Sequence, residues 1–300
     1  MKSLCLTRRE LLVRTFGMAT AGLALKSGMS HAALSWAIGN RPPASGFKLG
    51  VCDWTLGKRT DPTALEMAER LGLDGVQVDL GSPEDDLPLR RPEVQQKYLQ
   101  AARKSKAQIA SLAIAAMNEV PLKSDPRTEQ WVADSIGVCS KLGVRVVLLA
   151  FFAKGDLRND PKGVDTVVQK LRNVSPQAEK AGVILGFESW LNADQHIRIL
   201  DRVGSPALKV YYDVGNAHHE GYDIYKEIRF LGKHICEFHA KDYDGLYGKG
   251  SINFPEIRRA IDDIGYRGWI HIEGVKTPLG LEPSIRYDAE YLRRIFPSKV

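Results

Sequence analysis

From residue 47 onward the chain alternates short apolar runs with longer segments whose apolar positions recur every three or four residues. Eight runs, over residues 47–52, 75–80, 108–114, 144–152, 183–188, 208–213, 234–239 and 269–273, are nearly continuous in Val, Ile, Leu and Phe. Continuous rather than alternating apolarity is what a strand buried on both faces requires, so these runs predict parallel strands. The segments between them predict helices with recognisable ends. In "DPTALEMAERLG" Asp61 is placed to cap, Pro62 to open and Gly72 to stop a helix, and "NFPEIRRAIDDIG" repeats the arrangement with Asn253 and Gly265. "LGLDGVQV", "KLGVRVV" and "KAGVILG" each read as helix, glycine stop, strand. Eight such units in about 255 residues predict a single α/β domain over 46–300, a closed (β/α)8 TIM barrel. An open doubly wound sheet is the alternative, but its first strand usually leads into a Gly-rich phosphate loop. Here the first run leads into "DWTLGKRTDP".

The first 45 residues follow a different logic. Arg8-Arg9, then Leu11-Leu12, a mildly apolar Gly- and Ala-rich stretch over 16–25 and Ser30-His31-Ala32 have the layout of a twin-arginine export signal with a small-x-small cleavage site. The stretch is broken by Lys26 and is too short to span a bilayer. We therefore expect a signal peptide over 1–32, a linker over 33–45, and a periplasmic or otherwise exported protein with no membrane anchor after cleavage. An amphipathic cytosolic extension is the alternative reading.

This assignment changes the charge. The whole chain carries +6, but Lys2, Arg8, Arg9, Arg14 and Lys26 against Glu10 all lie in the expected signal, leaving about +2. The rest has no Lys/Arg run of the kind that follows a phosphate backbone, which argues against a nucleic-acid partner. Of four cysteines, Cys5 lies in the signal. Cys52, Cys139 and Cys236 are too widely spaced for a zinc motif and odd in number for a disulfide framework, so burial as small apolar side chains is expected.

In a barrel of this kind chemistry gathers where strands pass into βα loops. The fifth to eighth runs close on Glu188 ("GFES"), Asp213 ("YYDVGNA"), His239 ("FHAKD") and Glu273 ("HIEG"). Any one of these acids could simply cap a helix, and a single histidine could be a bonded core residue. Four on consecutive strands converge on one rim, and three adjacent carboxylates need a positive charge between them. Three oxygen donors and one imidazole suit a divalent cation, Mn²⁺ or Mg²⁺ by hardness, with Co²⁺ or Zn²⁺ as alternatives.

These motifs, with "GKGSINFPEI" between the last two, resemble in order and spacing the xylose-isomerase-like sugar phosphate isomerase/epimerase family, which includes ketose 3-epimerases and hydroxypyruvate isomerases. The resemblance spans 46–296. It implies that Glu188, Asp213, His239 and Glu273 bind one divalent metal, usually Mn²⁺, and that Glu188 and Glu273 act as acid and base on opposite faces of a sugar. The chain departs from the pattern at Asn216, where many of these epimerases carry a histidine. Asn216 can bond a hydroxyl but cannot titrate, and His218 is a candidate to reach the substrate in its place.

The rest of the expected pocket comprises Trp54, Trp190, Phe151 and Phe152 as apolar walls, with Lys241 able to neutralise an oxyanion. Asp53 and Asp79 are polar strand ends suited to loop or capping roles. The expected reaction is metal-assisted proton transfer next to a carbonyl through an enediolate, epimerising or isomerising a small carbohydrate. A lyase or dehydratase on keto sugars, ketoglycosides or keto-inositols would share the enolate. A non-catalytic sugar-binding protein is a further alternative. A nuclease of the AP-endonuclease kind would need additional histidines on the second and third runs, which end in Asp79-Leu80 and Ile114-Ala115-Ala116. The sugar, its phosphorylation and whether the chain forms a homo-oligomer are open at this stage.

Overall fold

The computed structural model describes residues 46–298; the expected signal peptide and linker lie outside the described residues. Eight parallel strands, β1 (Lys48–Cys52), β2 (Gly75–Asp79), β3 (Gln108–Ile114), β4 (Val146–Phe151), β5 (Ile184–Ser189), β6 (Leu208–Asp213), β7 (Ile235–Ala240) and β8 (Trp269–Ile272), close into a barrel in sequence order. Around it run α1 (Ala64–Arg70), α2 (Pro92–Lys104), α3 (Arg127–Leu142), α4 (Pro161–Ala181), α5 (Ala193–Val203), α6 (Val214–His219), α7 (Ile224–Leu231), α8 (Phe254–Asp263) and α9 (Leu281–Ile295). This is the expected (β/α)8 architecture. None of the described helices is long and apolar enough to cross a membrane.

The helix ends follow local chemistry. The Asn253 side chain accepts from Glu256 N at 3.2 Å and caps α8 as expected. At α1 the helix opens later than expected: Thr63 occupies the cap position and Asp61 instead accepts from Thr63 N at 2.9 Å. Gly182, at φ 66°, ends α4 in the left-handed conformation that costs glycine nothing.

Strand alternation sorts the side chains into two layers. On β4, Val147, Leu149 and Phe151 pack outward against the helices, while Val146, Leu148 and Ala150 point into the lumen. Phe151 stacks on Phe187 with ring centroids 4.1 Å apart within the outer core. It is therefore not a wall of the site, because its neighbour Ala150 holds the inward position. Beside these apolar groups the lumen holds a polar layer: Gln77, Ser111, Tyr211, Glu237 and His271 are all buried inside the barrel.

Two bulges align this polar layer. Between β6 and β7 the pairing passes from Val210↔Ile235 to Tyr211↔Glu237, so Cys236 is an extra residue on β7. Between β2 and β3 it passes from Val76↔Ile109 to Gln77↔Ser111, with Ala110 extra. Each bulge re-aims the side chains that follow it, which brings Glu237 level with Tyr211, Ser111 level with Gln77, and His239 level with Asp213.

Candidate functional site

The C-terminal rim of β5 to β8 gathers the expected cluster. Strands β5 and β7 run one residue further than their apolar runs suggest, and β8 one residue less, yet Glu188, Asp213 and His239 meet at one point of the rim, with Glu273 Oε2 3.9 Å from His239 Nδ1. Glu188, Asp213 and His239 each offer a ligand atom within 4.8 Å of the others, and all three are buried. His239 Nδ1 lies 2.9 Å from Glu188 Oε1 and 3.9 Å from both Asp213 Oδ2 and Glu273 Oε2, so one imidazole nitrogen faces three carboxylates.

Asp213 does two jobs with its two oxygens. Oδ1 accepts from Gly215 N at 2.7 Å and Asn216 N at 2.8 Å, capping the first turn of α6. Oδ2 is buried and has no hydrogen-bond partner among the described residues. Lys241 Nζ stands 3.7 Å from it. An orphaned buried carboxylate oxygen beside an imidazole nitrogen is what a divalent cation would satisfy. The donor set of carboxylates and one imidazole fits such an ion.

Glu273 stands slightly apart. Its Oε2 lies 2.7 Å from Lys241 Nζ, and its Oε1 accepts from Trp54 Nε1 at 3.1 Å. Lys241 thus reaches the site, with its charge already directed at Glu273.

The electrostatics follow from this crowding. Burial pushes the Asp213 carboxyl up to about 8, with Glu273 and Glu188 adding repulsion that Lys241 partly offsets. Burial also raises Glu188, against the pull of His239. For Glu273 burial acts in the same sense, but Lys241 and His239 outweigh it and hold the group at about 2. Burial would neutralise His239, yet Glu188 and Glu273 keep it charged up to about 9. A strongly perturbed set of this kind in one cleft is the electrostatic mark of a reactive site.

The other expected residues divide. Trp54 lies edge-on to His239, with centroids 6.2 Å apart. Trp190 packs against Phe152 at 5.1 Å and carries the Arg158 guanidinium 4.5 Å from its ring centroid, forming a half-buried aromatic rim. Asn216 is buried next to Asp213 and its Oδ1 accepts from the Tyr243 hydroxyl at 2.6 Å. His218 is not brought to the cluster: α6 carries it outward, where it is exposed and its Nε2 lies 3.1 Å from Ser251 Oγ. Asp53 and Asp79 serve structure. Asp53 Oδ2 accepts from Thr60 N and Asp79 N, while Asp79 pairs with Arg59 at 3.0 Å.

Two residues escaped the reading of strand ends. Tyr243 lies in the loop after β7, with its ring 5.1 Å from Lys241 Nζ. Gln77 lies in mid-strand, and its Oε1 is 2.7 Å from His239 Nε2. The signal for Gln77 was present as the one amide in the buried run "GVQVD".

Comparison with known proteins bears on the family and the fold. A 2-epi-5-epi-valiolone 7-phosphate 2-epimerase of Actinoplanes sp. is 25% identical over 177 residues, covering 59% of this chain and 65% of that protein. A D-psicose 3-epimerase of Enterocloster bolteae is 30% identical over 122 residues, 37% of this chain and 40% of that one. The matches thus span less than two thirds of these relatives' lengths. The crystal structure of a D-psicose 3-epimerase with D-tagatose from Clostridium cellulolyticum shares the fold at a TM-score of 0.69 and 18% identity, over 83% of this chain and 99% of that one. The family model described as xylose isomerase-like TIM barrel matches residues 65–295. The chain belongs to the xylose isomerase-like TIM barrel family.

Proposed function

We propose that the protein is a divalent-metal-dependent sugar isomerase or epimerase that moves a proton next to a carbonyl. The observation that carries this reading is Asp213 Oδ2, buried and without a hydrogen bond among the described residues, between His239 Nδ1 at 3.9 Å and Lys241 Nζ at 3.7 Å and close to the two glutamates. Glu188, Asp213, His239 and Glu273 would hold the ion, Mn²⁺ by preference. Bound there, the ion supplies Lewis acidity to a ketose carbonyl and its neighbouring hydroxyl. One of Glu188 and Glu273 removes the α proton to give an enediolate, and the other returns a proton from the opposite face or to the neighbouring carbon. Asn216 binds a sugar hydroxyl, and Trp54 and Trp190 pack on the C–H face of the ring. The names of these two relatives, a 2-epi-5-epi-valiolone 7-phosphate 2-epimerase and a D-psicose 3-epimerase, support an epimerase reaction class. The proposed setting is outside the cytoplasm, reached through the twin-arginine segment over 1–32.

The test is to strip the purified protein with a chelator, reload it with Mn²⁺, and incubate it in D2O with ketoses and 3-ketoglycosides under NMR. Metal-dependent C–H exchange with the carbon skeleton and all substituents retained is the expected result. Exchange accompanied by loss of water or an aglycone would make it a lyase instead. Sugar binding by calorimetry without exchange on any substrate would leave a binding protein and end the catalytic reading.

A further inference from the structure

Beneath the cluster, the lumen holds a chain of buried polar groups that ends on His239. Gln77 is its central member. The amide nitrogen lies 3.2 Å from Ser111 Oγ and 3.0 Å from the Tyr211 hydroxyl, while the amide oxygen lies 2.7 Å from His239 Nε2 and 3.3 Å from Cys52 Sγ. Tyr211 OH also lies 2.8 Å from His271 Nδ1, and Glu237 Oε2 stands 3.7 Å from that same nitrogen. Gln77 Nε2 donates to both hydroxyls, and the Tyr211 hydroxyl, with its hydrogen turned to His271 Nδ1, presents a lone pair to the amide. The amide is thereby oriented with its oxygen toward His239.

Space for the chain is made by two glycines facing the lumen. A methyl group at Gly50 would stand 2.3 Å from His271 Cδ2, and one at Gly186 would stand 3.1 Å from Tyr211 Cδ2. Any larger residue at Gly50 would displace His271, and a methyl at Gly186 would crowd Tyr211.

We propose that Gln77 is a positioning residue for the cation site: its amide oxygen accepts the Nε2 proton of His239, so that Nδ1, which faces Glu188, Asp213 and Glu273, is the nitrogen that gives up its proton when a cation binds. The inference rests on the metal reading above. A histidine that binds a cation through one nitrogen must carry its proton on the other, and the acceptor of that proton sets both the tautomer and the ring's orientation. A reversed amide would offer N–H to Nε2, move the histidine proton to Nδ1 and close the site to a cation. The bonds to the two lumen hydroxyls oppose that reversal.

The experiment compares wild type with Gln77→Met, Gln77→Glu, Tyr211→Phe and Asp213→Asn, measuring Mn²⁺ binding by calorimetry. Long-range ¹H–¹⁵N spectra of the Mg²⁺- or Zn²⁺-loaded protein report the His239 tautomer. Gln77→Met should weaken Mn²⁺ about 10- to 100-fold with circular dichroism unchanged. Gln77→Glu, which retains an acceptor for the same proton, should restore binding to within a few-fold. Tyr211→Phe should weaken it by a smaller factor, since Ser111 still holds one amide hydrogen. The His239 spectrum of the wild type should show a protonated Nε2. Binding that is lost in Asp213→Asn but intact in Gln77→Met, or a His239 proton on Nδ1 in the loaded protein, would overturn the role of Gln77 alone. Absence of any Mn²⁺ binding by the wild type would overturn the metal reading and this inference with it.

Discussion

The Tyr243 hydroxyl donates to Asn216 Oδ1 at 2.6 Å, tying the loop after β7 to the first turn of α6 beside Asp213. Asn216 is the position at which the chain departs from the family pattern, and the structure shows why an amide suits it. Its oxygen is taken by Tyr243, so its N–H groups are the part left for a substrate oxygen. The Tyr243 ring in turn lies over Lys241 Nζ and beside His219, at 5.0 Å.

Removing that bond should alter sugar binding more than the chemical step. Tyr243→Phe is expected to raise KM several-fold with kcat within about threefold, the pattern of an interaction made equally in ground and transition states. Asn216→His would place a titratable group there, and kcat/KM should gain an ionisation at about pH 6–7. Steady-state kinetics across pH on whichever ketose exchanges would check both.

On the proposed mechanism, Glu188→Gln and Glu273→Gln would each remove a proton carrier while keeping a polar side chain of the same shape. Each is expected to reduce solvent-deuterium exchange by about 10²–10⁴-fold, the usual contribution of a positioned acid or base. Cooperative unfolding should persist, since the barrel core does not involve either group. Near-normal exchange in either variant would remove that glutamate from the mechanism.

The adjacent phenylalanines should separate stability from binding. Phe151 is buried against Phe187 in the outer core, and Phe151→Ala should cost about 3–5 kcal/mol of unfolding free energy. Phe152 packs on Trp190 at the rim, so Phe152→Ala should cost far less stability and raise KM instead. Denaturant titrations paired with kinetics on the two variants would show the division.

His196 supplies a pH signature distant from the cluster. It is buried, with Nδ1 3.1 Å from Asn192 O and Nε2 3.0 Å from Ser189 Oγ, so the neutral ring donates to the carbonyl and accepts from the hydroxyl. Burial pushes its pKa down to about 4 from 6.5. Below pH 6.5 the unfolded chain therefore takes up the proton before the folded one does. The stabilisation is complete above pH 6.5 and fades as pH falls toward 4, by about 3 kcal/mol over that window. The buried carboxyls titrate in the same window with the opposite sign, so the measurement is the difference in unfolding free energy between wild type and His196→Gln, which should shrink by roughly 2–3 kcal/mol from pH 7 to pH 4.5.

What the amino-acid sequence determined by itself was the architecture and the membership of the cluster. Apolar runs buried on both faces, each preceded by a helix and a glycine stop, leave few arrangements other than a closed parallel barrel. Strand-end residues of that barrel must then meet at one rim, which is why Glu188, Asp213, His239 and Glu273 could be named from spacing alone.

Tertiary structure decided what each group does there. Which Asp213 oxygen caps α6 and which is left free depends on the path of the chain after β6. That Lys241 turns to Glu273, that α6 carries His218 outward, and that Phe151 faces the helices while Ala150 faces the lumen are matters of side-chain direction. The polar lumen was hidden for a related reason. Gln77, Tyr211 and Glu237 are scattered over three strands, and they come level only because Ala110 and Cys236 are accommodated as bulges. A one-residue shift in pairing leaves almost no trace in a run of apolar residues, because its cost and its gain are settled by neighbouring strands.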